Sequence, residues 1–238
     1  MTPSLMNPLV WVISFIPGLL WLWFVYKKDR FEPEPIKWVL IVFFAGALSV
    51  IPTMFVSAIV SALLGFPGTE TVSDAAKVSF LIAGVVEEGM KMAVVLVVIW
   101  KRSEFNEPID GLVYASAAAL GFASVENALY VSGHGMHAII PRAFMSTAGH
   151  MLFSSMWGYA LGRAKFEPEK KVSFLMKGFV LSAFLHGLYN FLLFTQVFAS
   201  LVLFLLAILL WDILARMVKD ADSRSPFKPR KYKEPEIL

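Results

Sequence analysis

The sequence predicts an all-α polytopic membrane protein, a bundle of about seven transmembrane helices with very little mass outside the bilayer. Hydrophobic residues make up 58% of the 238 positions and charged residues 16%, against about 45–50% and about 25% in soluble domains. The apolar runs are long and unbroken, which favours helices over the alternating strands of a membrane barrel. Basic residues also recur at intervals that fit alternate loops of a helical bundle.

Seven stretches of the chain approach the roughly 20 mostly apolar residues that a membrane-spanning helix needs. We predict helices over residues 8–26, 38–64, 78–100, 111–131, 138–162, 172–194 and 197–217. The first is interpreted as a retained anchor, because no basic segment of a secretory signal precedes it. The second is long enough to tilt or to break near Pro52. The last two share one apolar stretch, with a turn expected near Thr195–Gln196.

The distribution of basic residues predicts the orientation of the bundle. The loops at 27–37, 101–110 and 163–177 and the C-terminal end together hold 18 of the 21 lysines and arginines. Because cytoplasmic loops are enriched in basic residues, these segments are expected to lie in the cytoplasm. Residues 1–220 are then expected to form a single transmembrane domain, and 221–238 a polar, basic cytoplasmic tail.

The third predicted helix carries three ionisable residues, Glu87, Glu88 and Lys91. Each costs about 2.5–3.5 kcal/mol at the centre of a membrane helix on insertion scales. Glu87 and Lys91 are four residues apart and share a face, whereas Glu88 is rotated by about 100°. A structural ion pair needs only one glutamate, so the second suggests a functional site.

Three further helices carry polar residues at comparable depth: Glu126, His150, and His186 followed one turn later by Asn190. Counted from the predicted outer ends, Glu87 and both histidines lie roughly 15 Å deep and Glu126 roughly 8 Å deep. We therefore expect the four helices to bring their polar residues together in one site in the outer half of the membrane.

Two chemistries suit this set of residues. Two imidazoles and a carboxylate can hold a catalytic zinc ion while a further carboxylate acts as base. A metal-free site is equally consistent, with a desolvated glutamate activating water and histidine or Asn190 stabilising the oxyanion. The chain has no cysteine, so thiolate ligands are excluded.

The polar residues occur in five short motifs that follow one another along the chain. They are Glu87-Glu88-x-x-Lys91, Asp110-Gly111-Leu112-Val113-Tyr114, Gly121-Phe122-x-x-x-Glu126-Asn127, Gly149-His150 and His186-x-x-x-Asn190. This pattern resembles the PrsW family of bacterial and archaeal intramembrane proteases, which is distantly similar to the CAAX prenyl proteases. The resemblance implies peptide-bond hydrolysis in the plasma membrane and, as in the best-known member, cleavage of a membrane-anchored anti-sigma factor. Asn190 stands where some members have aspartate.

The residues and the resemblance together predict an intramembrane endopeptidase. The predicted catalytic group is Glu87, Glu88, Lys91 and Asn190, and the predicted zinc ligands are Glu126, His150 and His186. Glu87 is expected to be the general base, with Glu88 and Lys91 adjusting the charge and Asn190 orienting substrate or oxyanion. The sequence leaves an exchange of roles between Glu87 and Glu88, or between Glu88 and Glu126, open.

The expected partners are a membrane-anchored protein substrate and the lipid bilayer. Nothing in the sequence points to nucleic acid, and it does not define the oligomeric state. Glu, His and Lys residues within membrane helices also occur in proton-coupled transporters. Those proteins commonly have paired repeats and interrupted helices, neither of which is evident here. A non-enzymatic scaffold or sensor offers no reason for carboxylates to face histidines within the membrane.

We predict that the N-terminus lies outside the cell and the C-terminus inside, because that arrangement places the basic loops in the cytoplasm. Reporter domains fused after Tyr26 and after Leu238 should both report a cytoplasmic location. A reporter after Leu238 that is found outside would contradict the seven-helix arrangement.

Overall fold

The computed structural model describes residues 5–66, 68–196 and 199–229, and every regular element in them is helical. The α-helices are Pro8–Tyr26 (α1), Ile36–Leu48 (α2), Val50–Leu64 (α3), Val72–Lys77 (α4), Glu88–Val98 (α5), Pro108–His134 (α6), Ile139–Pro141 (α7), Thr147–Phe166 (α8), Lys171–Thr195 (α9) and Ala199–Ser223 (α10). Short 3-10 turns cover Met136–Ala138 and Pro168–Lys170, and π-helical turns cover Val78–Glu87 and Arg142–Ser146. The predicted all-α bundle is confirmed.

Five helical segments among the described residues are long and apolar enough to cross a membrane. They are Pro8–Tyr26, Ile36–Leu64, Pro108–His134, Pro168–Thr195 and Leu201–Ser223. The two other predicted spans, 78–100 and 138–162, are also largely helical. They carry most of the polar residues singled out above, which lowers their hydropathy.

The second span breaks where a proline requires it. Helix α2 ends at Leu48 and α3 begins at Val50, with Ser49 between them. Pro52 has no N–H to donate, and its ring excludes the carbonyl of the residue four positions earlier, Leu48. The helix is therefore interrupted at Ser49, three residues before Pro52, within the single helical span Ile36–Leu64.

The last two spans separate at the predicted turn. Helix α9 ends at Thr195, and Gln196 adopts a left-handed conformation with φ of 53°. Helix α10 begins at Ala199 and continues to Ser223, a few residues into the predicted tail. The rest of that tail from residue 230 onward lies outside the described residues.

Helix α6 is the centre of the bundle, with 94% of its most apolar stretch buried. It packs against α1, α2 and α8, and its small residues allow close approach of the neighbouring backbones. A methyl group on Gly121 would lie 1.8 Å from the carbonyl oxygen of Phe43 in α2. One on Gly158 in α8 would lie 2.5 Å from the carbonyl oxygen of Gly111. Helices α2, α6 and α8 therefore have little freedom to shift.

We predict that Gly121→Ala destabilises the protein, although alanine favours a helix over glycine by about 1 kcal/mol. The added methyl group would collide with main-chain atoms of α2. Gly133→Ala in the same helix is the matched control, because nothing lies within 4 Å of a methyl group there. Thermal unfolding in detergent should show a lower midpoint for Gly121→Ala and an unchanged or higher one for Gly133→Ala. Equal midpoints would contradict the close packing.

Candidate active site

Glu88 is the most completely bonded polar residue of the bundle. It lies at the first position of α5 and its side chain is fully buried. Its Oε1 accepts hydrogen bonds from Lys91 Nζ and from His186 Nδ1, each at 2.8 Å. Because an ionised carboxylate only accepts, Nδ1 of His186 carries the hydrogen. Its Nε2 is left with a free lone pair.

The second carboxylate oxygen of Glu88 is bonded by two other helices. Ser154 and Trp157 of α8 donate to Oε2 at 2.7 Å and 2.8 Å, and Ser182 of α9 donates at 3.0 Å. Glu88 thus joins α5, α8 and α9. All its hydrogen-bonding capacity in this arrangement is directed to the protein, which leaves it no free oxygen for a water molecule or a metal.

Glu87 has the opposite environment. Its Oε2 is buried and has no hydrogen-bond partner among the described residues. It lies 3.5 Å from Lys91 Nζ and 3.9 Å from His186 Nε2. Glu87, His150 and His186 each have one atom that could bind a metal ion, and these three atoms lie within 4.8 Å of one another. The free carboxylate oxygen therefore shares a small volume with two imidazoles.

His150 connects α8 to the ammonium group of Lys91 in α5 and to the carboxylate of Glu126 in α6. Its Nδ1 lies 2.9 Å from Lys91 Nζ, and its Nε2 lies 2.8 Å from Glu126 Oε2. An ammonium group only donates, so Nδ1 accepts and Nε2–H donates to Glu126. The ring meets that of His186 edge-on, with centroids 4.8 Å apart. Both nitrogens of His150 are engaged.

Glu126 is bounded on its other side by Arg142, which lies in the π-helical turn before α8. Arg142 Nη2 is 3.5 Å from Glu126 Oε2, and Arg142 Nε donates to Asn127 Oδ1 at 2.7 Å. Asn127 in turn donates to Thr147 Oγ1 at 2.9 Å. The Glu126 side chain keeps 27% of its surface exposed, the most open carboxylate of the group.

The structure brings six of the seven predicted site residues into one connected group: Glu87, Glu88, Lys91, Glu126, His150 and His186. Asn190 lies one turn beyond His186 in α9 and is half-buried, and its side chain forms no hydrogen bond with the described residues. The predicted zinc ligands were Glu126, His150 and His186. In the structure the carboxylate grouped with the two histidines as a possible metal ligand is that of Glu87 and not that of Glu126.

Sequence reasoning missed several contributors to the site: Arg142, Ser154, Trp157 and Ser182. The available signal for Arg142 is its position eight residues before His150. Ser154 follows His150 by four residues and so lies on the same helix face. Trp157 and Ser182 carried no sequence signal that separated them from ordinary helix-packing residues.

A buried group of carboxylates and imidazoles, mounted on four helices of a membrane bundle, is the arrangement expected of an intramembrane hydrolase. A model described as the PrsW family intramembrane metalloprotease matches residues 34–214. The chain therefore belongs to the PrsW family. It is an intramembrane protease and a multi-pass membrane protein.

Several bacterial relatives are similar over most of the chain. Protease PrsW of Geobacillus kaustophilus is 37% identical over 207 residues, covering 86% of this chain and 88% of the relative. Protease PrsW of Oceanobacillus iheyensis is 37% identical over 88% of this chain and 94% of its own. Protease PrsW of Bacillus subtilis is 35% identical over 74% of this chain and 79% of its own. No solved structure gave a significant match.

We predict that Glu88→Gln destabilises the protein by roughly 3–5 kcal/mol, the usual cost of removing one partner from a buried ion pair. The amide nitrogen would also face a group that can only donate, the Lys91 ammonium on one side or the Trp157 indole N–H on the other. Glu169→Gln is the control, because Glu169 is exposed. Unfolding in mixed micelles should separate the two variants. A Glu88→Gln protein as stable as the wild type would show that the network does not hold the helices together.

Proposed function

We propose that this chain is an endopeptidase that hydrolyses peptide bonds of membrane-anchored proteins at the point where Glu87, His150 and His186 converge. The observation that carries this proposal is the contrast between two adjacent glutamates. Glu88 is saturated with hydrogen bonds, whereas Glu87 offers a free oxygen beside two imidazoles. That free oxygen is the group available to act on a water molecule or to hold a metal.

In the proposed reaction Glu87 accepts a proton from a water molecule whose oxygen adds to the carbonyl carbon of the scissile bond. When the C–N bond breaks, the proton passes from the Glu87 carboxyl to the departing amine nitrogen, and the carboxylate is restored. Lys91, 3.5 Å from Glu87 and 2.8 Å from Glu88, offsets one of the two negative charges of these glutamates.

The residues fit a zinc ion in several respects. Glu87, His150 and His186 would hold it. His186 is oriented by a buried carboxylate on Nδ1, as zinc-binding histidines usually are, and its Nε2 faces Glu87. A zinc ion bound there would polarise the scissile carbonyl and acidify a water molecule. Glu126 would then be the carboxylate that accepts the proton, which exchanges the roles that the sequence assigned to Glu87 and Glu126.

A metal-free mechanism is the second candidate, and the bonding of His150 favours it. Both ring nitrogens of His150 are engaged, by Lys91 and by Glu126. His150 can bind a metal only if one of these bonds is given up. Without metal, Glu87 would activate the water, while Lys91 and the two imidazoles would supply the surrounding charge and hydrogen bonds.

The depth of the site supports a membrane-anchored substrate. Glu126 lies eight residues before the end of α6 and His186 nine residues before the end of α9, or about 12–14 Å along each helix axis. A substrate segment must therefore enter the bundle or the adjoining bilayer to reach the carboxylates. By the family resemblance we propose an anti-sigma-factor-like protein with one membrane-spanning segment.

We predict that Glu87→Gln lowers hydrolysis by at least about 10²–10⁴-fold, the usual contribution of a general base. The fold should be retained, because the Glu87 oxygen bonds to no neighbouring helix. Cleavage of a membrane-anchored reporter by purified enzyme in proteoliposomes would measure this, with Glu70→Gln as an exposed-carboxylate control. Near-normal turnover by a well-folded Glu87→Gln protein would remove Glu87 from the reaction.

We predict that purified, active enzyme contains about one zinc per chain if the metal mechanism holds. Zinc should be lost in Glu87→Gln and His186→Ala and retained in Glu126→Gln, because Glu126 is not among the grouped ligand atoms. Elemental analysis of the four proteins would measure this. An active wild-type preparation without metal would contradict the zinc mechanism and favour the metal-free one.

A further inference from the structure

A second group of buried carboxylates lies at the opposite end of α6 from the active site. Asp110 and Glu126 are 16 residues apart on this helix, or about 24 Å along its axis. Asp110 is joined there by Asp29 and Glu34, from the loop between α1 and α2, and by Glu107, which precedes α6. All four side chains are at least 96% buried.

Three of these carboxylates use one oxygen each in hydrogen bonds, two to backbone N–H groups and one to a tyrosine hydroxyl. Asp29 Oδ2 accepts from the Glu34 N–H at 3.1 Å, and Asp110 Oδ2 accepts from the Glu107 N–H at 2.8 Å. Glu34 Oε2 accepts from the Tyr114 hydroxyl at 2.5 Å. These bonds hold the carboxylates in place with their second oxygens unused.

Five carboxylate oxygens in the group have no hydrogen-bond partner among the described residues. They are Asp29 Oδ1, Glu34 Oε1, Asp110 Oδ1 and both oxygens of Glu107. One ligand atom each from Asp29, Glu107 and Asp110 lie within 4.8 Å of one another. The group therefore presents several unpaired oxygens around one small volume.

No lysine or arginine within the described ranges forms an ion pair with these four carboxylates. Lys165 acts on Asp110 and Glu34 only at longer range, since its ammonium donates to the main-chain carbonyls of Trp100 and Arg102. Buried carboxylates without a counter-charge are strongly unfavourable. A bound cation or bound protons would remove this cost.

We propose that Asp29, Glu34, Glu107 and Asp110 form a binding site for one hard divalent cation, Mg²⁺ or Ca²⁺, separate from the active site. These ions are bound by carboxylate oxygens, six to eight of them for Ca²⁺, and water completes the coordination of Mg²⁺. The group has no histidine or cysteine that would favour zinc or copper. The cation would fasten the loop between α1 and α2 to the start of α6.

Thermal unfolding of the full chain in detergent, at pH 8 in EDTA or with Mg²⁺ or Ca²⁺, tests this site. At a cation concentration about 100-fold above Kd, the midpoint should rise by about 5–10 °C. Glu107→Gln should lose this rise but be at least as stable as the wild type in EDTA, because it removes an unpaired buried charge. Exposed Glu169→Gln should keep the rise, and so should Glu87→Gln, because Glu87 belongs to the other site.

Direct binding provides a second readout. Mn²⁺ can serve as a paramagnetic substitute for Mg²⁺ or Ca²⁺. The Glu107→Gln protein should bind one Mn²⁺ ion fewer per chain than the wild type. The same Mn²⁺ stoichiometry in both proteins, or no rise in the midpoint with Mg²⁺ or Ca²⁺, would overturn the proposal.

Protons are the competing occupant of this group. Burial raises the pKa of Asp29 to about 8 and that of Glu34 to about 7. A carboxyl whose pKa is raised in the folded state stabilises the fold at low pH and loses that contribution as the pH rises towards the folded pKa. A midpoint that falls between pH 5 and 8 equally with and without cation would assign protons to the group and overturn the cation site.

Discussion

The buried carboxylate of Glu88 is the interaction on which the rest of the active site depends. Five donors from α5, α8 and α9 converge on its two oxygens. A charge in this position is tolerable only with a paired cation and complete hydrogen bonding, and Lys91 and the four neutral donors supply both. Any relative movement of these helices would break several of the bonds at once, so Glu88 fixes their positions.

This arrangement separates two roles between adjacent residues. Glu88 holds the helices and orients His186, while Glu87, one position earlier, keeps a free oxygen next to the imidazoles. A π-helical segment, Val78–Glu87, ends at this residue, and such segments are frequent at functional sites.

The sequence was sufficient to predict the helices and the convergence of the site, because both follow from the cost of polar groups in lipid. Apolar runs defined the spans, and location in the same outer half of the membrane indicated that Glu87, Glu126, His150 and His186 meet. It could not decide between Glu87 and Glu88, since their difference lies in which donors surround each carboxylate. The acidic group around Asp110 could not be predicted, because its two pairs, Asp29 with Glu34 and Glu107 with Asp110, are more than 70 residues apart and no sequence pattern indicates that they meet.

A double-mutant cycle of the unfolding free energy on Glu88→Gln and Lys91→Met tests the central claim most directly. If the pair of Glu88 and Lys91 organises the site, each single variant leaves one partner of this pair without the other, whereas the double variant removes both. The double variant should then be more stable than the sum of the single effects predicts, by about 0.5–3 kcal/mol. Additive effects of the two substitutions would show that the pair does not hold the bundle together, and would contradict this account.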